Sequence, residues 1–255
     1  MSIHPYILAE TNWKNVRETK YDVAILPWAA TEAHNYHLPY STDTLQCDHI
    51  AAESARQAWD AGAKVIVLPT IPFGVQSGQL DIPFCLHINP STQAAILFDI
   101  AQTLQVHNVQ KLVILNGHGG NDFKTIIREL QPKLQIFLCA MNWYVAAPPK
   151  QFFAEPGDHA GELETSMIMH IAPELVLSLD QAGPGEEKKF RIEGLRNGLA
   201  WTPRQWTKIS KDTGVGNPKA ATAEKGKQFS AATSKKIAEF LVDLSKADLN
   251  DLYEK

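Results

Sequence analysis

A short segment between residues 31 and 44 combines the side chains that divalent metal ions prefer. It carries Glu32, His34 and Asp43 just after an apolar run at residues 23–27. That run is short and ends at a proline, so it predicts a buried strand that delivers these side chains to a loop. Nitrogen and oxygen ligands without cysteine suit Zn, Mn or Fe. The segment is a candidate metal site, although Asp43 alone could also be the N-cap of the following helix.

A glycine-rich turn with one histidine is the second candidate. The sequence N-G-H-G-G-N at residues 116–121 carries His118 and follows the apolar run 111–115. Asn121 or Asp122 could cap the helix that follows, so the turn would lie at the carboxyl edge of a sheet, where α/β proteins bind ligands. A phosphate cradle is the alternative, but the turn lacks the P-loop lysine and the dinucleotide glycine spacing. We therefore interpret it as a metal-bearing turn.

The third candidate is the sequence G-D-H-A-G-E-L-E-T-S at residues 157–166. Here His159 precedes Glu162 and Glu164 at the start of a helical segment. One carboxylate could join the metal ligands, and the other could be an ordinary first-turn residue favoured by the helix dipole. His159 would then be free for proton transfer, with a buried structural histidine as the alternative.

These three blocks, together with T-G-V-G-N-P at residues 213–218 and A-E-K-G at residues 223–226, resemble the creatininase (creatinine amidohydrolase) family. The blocks follow the family order over most of the chain, which is more specific than any single motif. The resemblance implies a three-layer α/β/α fold with a mainly parallel central sheet. It also implies a two-metal amidohydrolase that opens C–N bonds and often assembles as a hexamer.

The resemblance assigns roles to individual side chains. It implies that Glu32 and His118 hold one ion, that His34 holds the other, and that Asp43 bridges both. Independently of the resemblance, His159 is the candidate for proton transfer. Two divalent ions, of Zn, Mn or Fe, are therefore the expected cofactors.

One ligand of creatininase is missing from this chain. Creatininase has a glutamate ligand two residues after the histidine of the glycine turn, whereas this chain has Gly120. We expect Glu164 to complete the site instead, with Glu162 as the alternative. Glu32, Asp43, Glu164 and a bridging hydroxide would then neutralise two divalent ions, as a buried site requires. The difference also argues against creatinine as the substrate.

Composition restricts the class of protein. The 255 residues are 44% apolar and carry a net charge of −4, which indicates a globular protein without a basic surface for nucleic acid. Residues 1–15 lack the basic start and long apolar run that are typical of a signal peptide, and the longest apolar runs are too short to span a bilayer. Its three cysteines are widely spaced, which is typical of a reducing compartment. We expect one cytoplasmic domain over residues 1–255.

Hydrophobic patterns predict alternating strands and helices, which is typical of a parallel sheet. The predicted strands are residues 23–26, 65–68, 112–115 and 136–139, and the predicted helices are residues 44–59, 91–106, 123–130 and 220–244. Residues 177–205 lack periodicity and predict an excursion or lid, with Trp201 and Trp206 as its packing residues. We interpret Cys85 as an inert packing residue rather than a nucleophile.

The predicted activity is hydrolysis of a non-peptide C–N bond in a small-molecule amide, such as a cyclic amide, a formamide or a related amide. A hydroxide held between two metals near Asp43 would attack the carbonyl, and His159 would protonate the leaving nitrogen. The chain is expected to form a homo-oligomer. A dinuclear phosphoesterase is one alternative, disfavoured because no Arg or Lys lies near the three blocks. A metal-holding binding protein without turnover is the other.

Overall fold

The computed structural model describes residues 4–155 and 157–254. Its centre is a four-stranded parallel sheet with the strand order β2-β1-β3-β4. The four strands are β1 (Val23–Trp28), β2 (Val65–Val67), β3 (Lys111–Asn116) and β4 (Phe137–Asn142). A separate antiparallel pair is formed by β5 (Gly157–His159) and β6 (Val215–Gly216).

The helices lie before, between and after the strands along the chain. They are α1 (Trp13–Glu18), α2 (Thr42–Asp60), α3 (Pro90–Val106), α4 (Phe123–Leu130), α5 (Glu162–Ile171), α6 (Glu193–Arg196), α7 (Trp206–Ile209) and α8 (Ala223–Lys246). Single 3₁₀ turns lie at Leu8–Glu10, Gln131–Lys133, Trp143–Val145, Pro149–Gln151 and Pro173–Leu175. Within the described part of the chain, no helix is both long and apolar enough to cross a membrane.

The sheet is covered on both faces. Alternate β1 residues point to opposite sides, so Val23 and Ile25 pack with α2, α5 and α8, whereas Ala24 and Leu26 pack with α3 and α4. All six residues of β1 and of β3 are buried, as expected for a parallel sheet between two helical layers. The structure is therefore the predicted three-layer α/β/α fold.

Helix starts decide two alternatives that the sequence left open. The helix α2 begins at Thr42 and its N-cap is Ser41, so the interpretation of Asp43 as an N-cap is wrong. Asp43 instead lies in the first turn, which leaves its carboxylate free to face the sheet edge. At α4 the capping side chain is Asp122, which accepts a hydrogen bond from the Lys124 N–H.

The carboxyl edge of the sheet gathers the three sequence blocks. The chain leaves β1 and β3 at this edge and enters the loops that carry Glu32 and His118. The β5–β6 pair brings His159 to the same region, opposite Val215. The predicted excursion, residues 177–205, contains one short helix, α6, and otherwise irregular backbone.

Candidate metal centre

Six buried or half-buried side chains from five chain segments converge at the carboxyl edge of the sheet. They are Glu32, His34, Asp43, His118, His159 and Glu164. All six were named from the sequence. Their ligand atoms fall into three overlapping groups, and within each group these atoms lie within 4.8 Å of one another.

The first group joins Glu32, Asp43 and His118. The Nδ1 atom of His118 lies 2.7 Å from Oε1 of Glu32 and 3.2 Å from Oδ2 of Asp43. On the other side of the ring, His118 Nε2 lies 3.1 Å from the carbonyl oxygen of Val75, to which it can donate. That hydrogen bond would leave the Nδ1 lone pair directed at the two carboxylates, an orientation typical of a metal-binding histidine.

The second group joins His34, Asp43 and Glu164. The Nε2 atom of His34 lies 3.0 Å from Oδ1 of Asp43 and 3.9 Å from Oε2 of Glu164. The Nδ1 atom of His34 lies 3.1 Å from the backbone carbonyl of Glu32 and can donate to it. The two oxygens of Asp43 therefore face different histidines, which is the arrangement that a carboxylate bridging two ions requires.

Two atoms at the centre of this cluster are buried without a hydrogen bond to any described residue. They are Nε2 of His34 and Oδ2 of Asp43. Their nearest partners lie within the cluster itself, because His34 Nε2 is 3.0 Å from Asp43 Oδ1 and Asp43 Oδ2 is 3.2 Å from His118 Nδ1. A cation would satisfy both atoms at once, so the side chains present fit a metal ion.

Charges in the cluster shift its ionisation. Burial by itself would raise the pKa of Glu32, but the charges of His118, His159 and His34 together outweigh it and hold that pKa well below its ordinary value. Burial by itself would lower the pKa of His34, but the carboxylates of Asp43 and Glu164 raise it to about 10. The carboxylates thus favour positive charge at this position, which a proton or a metal ion can supply.

His159 lies beside the two groups. Its Nε2 atom is 2.8 Å from the carbonyl oxygen of Ala33, and its Nδ1 atom is 3.9 Å from Oε1 of Glu32. The centre of its ring lies 4.2 Å from the centre of the His34 ring. It lies 4.7 Å from the centre of the Trp206 ring, which it meets edge-on. The Nδ1 atom thus points toward the carboxylate cluster, where it could exchange a proton with a bound molecule. Trp206 packs against Arg204 of the excursion, as the sequence predicted, and its ring also contacts His159.

Glu162 does not join the cluster. Its Oε1 atom lies 2.5 Å from Nζ of Lys225, and its Oε2 atom accepts the N–H groups of Ala154 and Glu155. Glu162 therefore ties the start of α5 to the start of α8. Glu164, one half-turn further along α5, is the carboxylate that reaches the cluster.

The glycine at position 120 is required by its surroundings. A Cβ atom there would lie 2.2 Å from the carbonyl oxygen of Val75 and 2.5 Å from Nε2 of His118. A glutamate side chain could not occupy this position unless the turn moved. The close contact of the turn with Val75 thus explains why a ligand from this position is absent.

The cluster opens into a cavity of about 1420 Å³. The excursion forms one wall, and Trp201, interpreted from the sequence as packing, is instead 85% exposed there. Four cationic side chains also line the cavity, so the expectation that no Arg or Lys lies near the blocks is wrong. They are Lys150, Lys189, Arg196 and Arg204. Sequence reasoning missed them because only the folded path of the excursion brings most of them to the site.

Curated relatives share most of the chain at low identity. The mycofactocin precursor peptide peptidase of Mycobacterium ulcerans (strain Agy99) is 25% identical over 216 residues, which are 81% of this chain and 79% of the relative. The creatinine amidohydrolase of Pseudomonas putida is 25% identical over 194 residues, which are 66% of this chain and 73% of the relative. These relatives are hydrolases of amide C–N bonds.

Solved structures share the fold. A crystal structure from Bacteroides fragilis NCTC 9343, provisionally described as a creatinine amidohydrolase, is 46% identical, covers 100% of both chains and gives a TM-score of 0.93. A manganese form of creatininase is 20% identical and gives a TM-score of 0.80 over 95% of this chain and 99% of that one.

The match to the family model covers nearly the whole chain. The model for creatininase, described as creatinine amidohydrolase, matches residues 9–241, which include every side chain of the cluster. With the shared three-layer fold, this match shows that the chain belongs to the creatininase family.

Proposed function

We propose that this protein is a metal-dependent amidohydrolase with a two-ion centre. One observation carries the proposal: the two oxygens of Asp43 face His118 and His34 separately, at 3.2 Å and 3.0 Å. A carboxylate placed in this way can serve two ions at once, and two-ion centres commonly support hydrolysis.

The ligand sets follow from the two groups. Glu32, Asp43 and His118 would hold one ion, and His34, Asp43 and Glu164 would hold the other. When bound, such ions lower the pKa of water from ~15.7 toward ~7 and polarise the amide carbonyl. Manganese and zinc fit these nitrogen and oxygen donors, and creatininase has been solved in a manganese form and, as a point mutant, in a zinc–zinc form.

The protein side chains supply the remaining chemistry. His159 directs Nδ1 toward the cluster and lines the cavity, so it is placed to protonate the leaving nitrogen of an amide. The hydrogen bond between its Nε2 and the Ala33 carbonyl would fix the ring. No nucleophilic side chain is needed in this scheme. The homo-oligomeric state and the cytoplasmic location stay predictions.

A parallel activity screen tests the proposal. Metal-free protein and protein loaded with manganese or zinc would be assayed on creatinine, other lactams, formamides, short peptides and phosphoesters. We expect amide hydrolysis that disappears on chelation and returns with the metal. The screen includes phosphoesters because the four cationic side chains that line the cavity could bind a phosphate group. Turnover of phosphoesters alone would support a phosphoesterase, and bound metal without any turnover would support a binding protein.

A further inference from the structure

The cavity beside the cluster is larger than a small cyclic amide would need. Its volume is about 1420 Å³, whereas pockets for drug-sized ligands are typically ~300–1000 Å³. Its walls include Phe190 and Trp201 from the excursion and Tyr144 and Phe153 from the segment after β4. The Trp201 side chain is 85% exposed and lines the same cavity as the clustered side chains, and an exposed aromatic ring in a cavity offers a large apolar surface to a ligand.

The wall that carries Trp201 is held in place at its base. The Lys188 N–H donates to the Ile209 carbonyl at 2.8 Å, and Arg204 forms ion pairs with Asp158 at 2.9 Å and Glu187 at 3.1 Å. The Arg204 guanidinium also lies 4.8 Å from the centre of the Trp206 ring. These contacts hold the backbone on both sides of Trp201 beside the cluster, so the segment that carries this ring lies along the cavity.

From this geometry we infer that the substrate, given the proposed function, is an amide that carries a large apolar or aromatic group against Trp201. A series of hydroxamates tests this inference by binding, without turnover. Acetohydroxamate, 3-phenylpropionohydroxamate and N-benzylacetohydroxamate share a metal-binding head and differ in the added phenyl group. We expect at least one phenyl compound to bind metal-loaded protein about tenfold more tightly than acetohydroxamate.

Two tryptophan variants make the test specific. Trp201→Ala should remove most of the phenyl gain, whereas Trp13→Ala, which removes a 74%-exposed tryptophan outside the cavity wall, should preserve it. Equal affinity for all three hydroxamates, or a gain that survives Trp201→Ala, would overturn the inference. Failure of every hydroxamate to bind would instead overturn the metal centre itself.

A separate observation concerns Gln79, whose side chain is buried beside Glu32. Its Nε2 atom donates to Oε2 of Glu32, while Oε1 of Glu32 faces His118 at 2.7 Å. The Oε1 atom of Gln79 accepts from the Cys85 thiol, with the sulfur 3.2 Å away, and that sulfur lies 3.3 Å from the Ala33 nitrogen. Both contacts favour the same orientation of the Gln79 amide, because the carboxylate accepts from Nε2 and the thiol donates to Oε1.

We propose that Gln79 is a positioning residue that keeps Glu32 a one-oxygen ligand in the proposed two-ion centre. Because Oε2 of Glu32 is occupied by the amide, only Oε1 is available to the ion shared with His118. Cys85 acts through Gln79, so it has a role beyond inert packing. Outer hydrogen bonds of this kind typically change metal affinity by about 10–100-fold.

Metal affinity measured by chelator competition tests the role of Gln79. In Gln79→Leu, the ion held by Glu32 and His118 should bind about 10–100-fold more weakly, with the second ion much less affected. The matched control is Gln76→Leu, which removes another buried glutamine of the same loop. The Gln76 amide donates to the Thr31 carbonyl at 3.2 Å instead of to Glu32, so this variant should keep both affinities.

Variants of Cys85 provide a second test of metal affinity if Gln79→Leu folds poorly. Cys85→Ser keeps a donor for Gln79 and should retain metal affinity, whereas Cys85→Ala should lower it several-fold. Wild-type affinity in folded Gln79→Leu, or equal affinities in the two Cys85 variants, would overturn the proposal. Absence of metal binding in the wild-type protein would overturn the two-ion centre instead.

Discussion

Asp43 is the residue on which the two-ion arrangement depends. Its side chain is buried in the first turn of α2, and one of its oxygens has no hydrogen bond within the described part of the chain. Its neighbours Glu32, His34 and His118 were predictable from the sequence, because each follows an apolar strand at the edge where ligands bind. The orientation of the histidine rings was not predictable, since it depends on carbonyl groups such as that of Val75.

Removal of the shared carboxylate should affect both ions. We predict that Asp43→Ala loses both ions, whereas His34→Ala empties mainly one site, because His34 belongs to one of the two ligand sets that share Asp43. Elemental analysis after gentle dialysis gives the metal content. Asp60→Ala, at the exposed end of the same helix, is the control and should keep both ions. Full metal content in Asp43→Ala would show that it is not a bridge.

Metal binding should release protons. In the metal-free protein the pKa of His34 is about 10, so a metal must displace a proton near neutral pH, and affinity should rise with pH toward about 10. Calorimetry in buffers of different ionisation enthalpy measures this release. The raised pKa of His34 also stabilises the fold of the metal-free protein. This contribution is complete below pH 6.5, the ordinary pKa of histidine, and is lost as the pH rises through about 10. Binding heats that do not depend on the buffer would contradict the displacement.

The role of His159 can be separated from metal binding. We predict that His159→Asn keeps its metal content and lowers turnover by about two to four decades, the usual contribution of general acid–base catalysis. The loss should be smaller on amides with activated leaving groups, which need less protonation. Parallel kinetics on good and poor leaving groups measure the difference. Equal losses on both, or loss of metal, would contradict the role.

At the scale of elements, two neighbouring glutamates in the helix α5 have different roles. Both lie in its first turn, so sequence reasoning could not decide which one reaches the cluster. The choice depends on how α5 packs against α8, because Lys225 at the start of α8 pairs with Glu162. Strands and long helices were predictable to within a few residues, because both have clear apolar patterns. Their mutual packing was not, since it depends on contacts distant in sequence.

The two glutamates should therefore respond differently to the same substitution. We predict that Glu164→Gln weakens the ion held by His34, whereas Glu162→Gln keeps both ions and lowers the free energy of unfolding by about 1–3 kcal/mol. Lys225 and the Glu155 N–H hold the pKa of Glu162 below its ordinary value despite burial, so its contribution is present above pH 4.5 and is lost as the pH falls. Chemical denaturation and metal analysis of both variants test this. The reverse pattern would transfer the ligand role to Glu162.

At the scale of the whole molecule, two helical layers hold the sheet and leave one edge open to the cavity. The layers were predictable from the alternation of strands and helices. The cavity was not, because residues 177–205 have no periodic pattern and are positioned by contacts distant in sequence, such as the Leu177 N–H to the His37 carbonyl at 2.9 Å. The fold therefore supplies a rigid ligand cluster, and the irregular excursion shapes what can approach it.

The most direct test of the two-ion centre is electron paramagnetic resonance of metal-free protein titrated with manganese. Ions that share a carboxylate lie about 3.5–4 Å apart, close enough for their spins to couple. The account predicts uptake of two ions per chain and the spectrum of a coupled manganese pair. Uptake of a single ion, or a spectrum of isolated manganese ions at full loading, would contradict it.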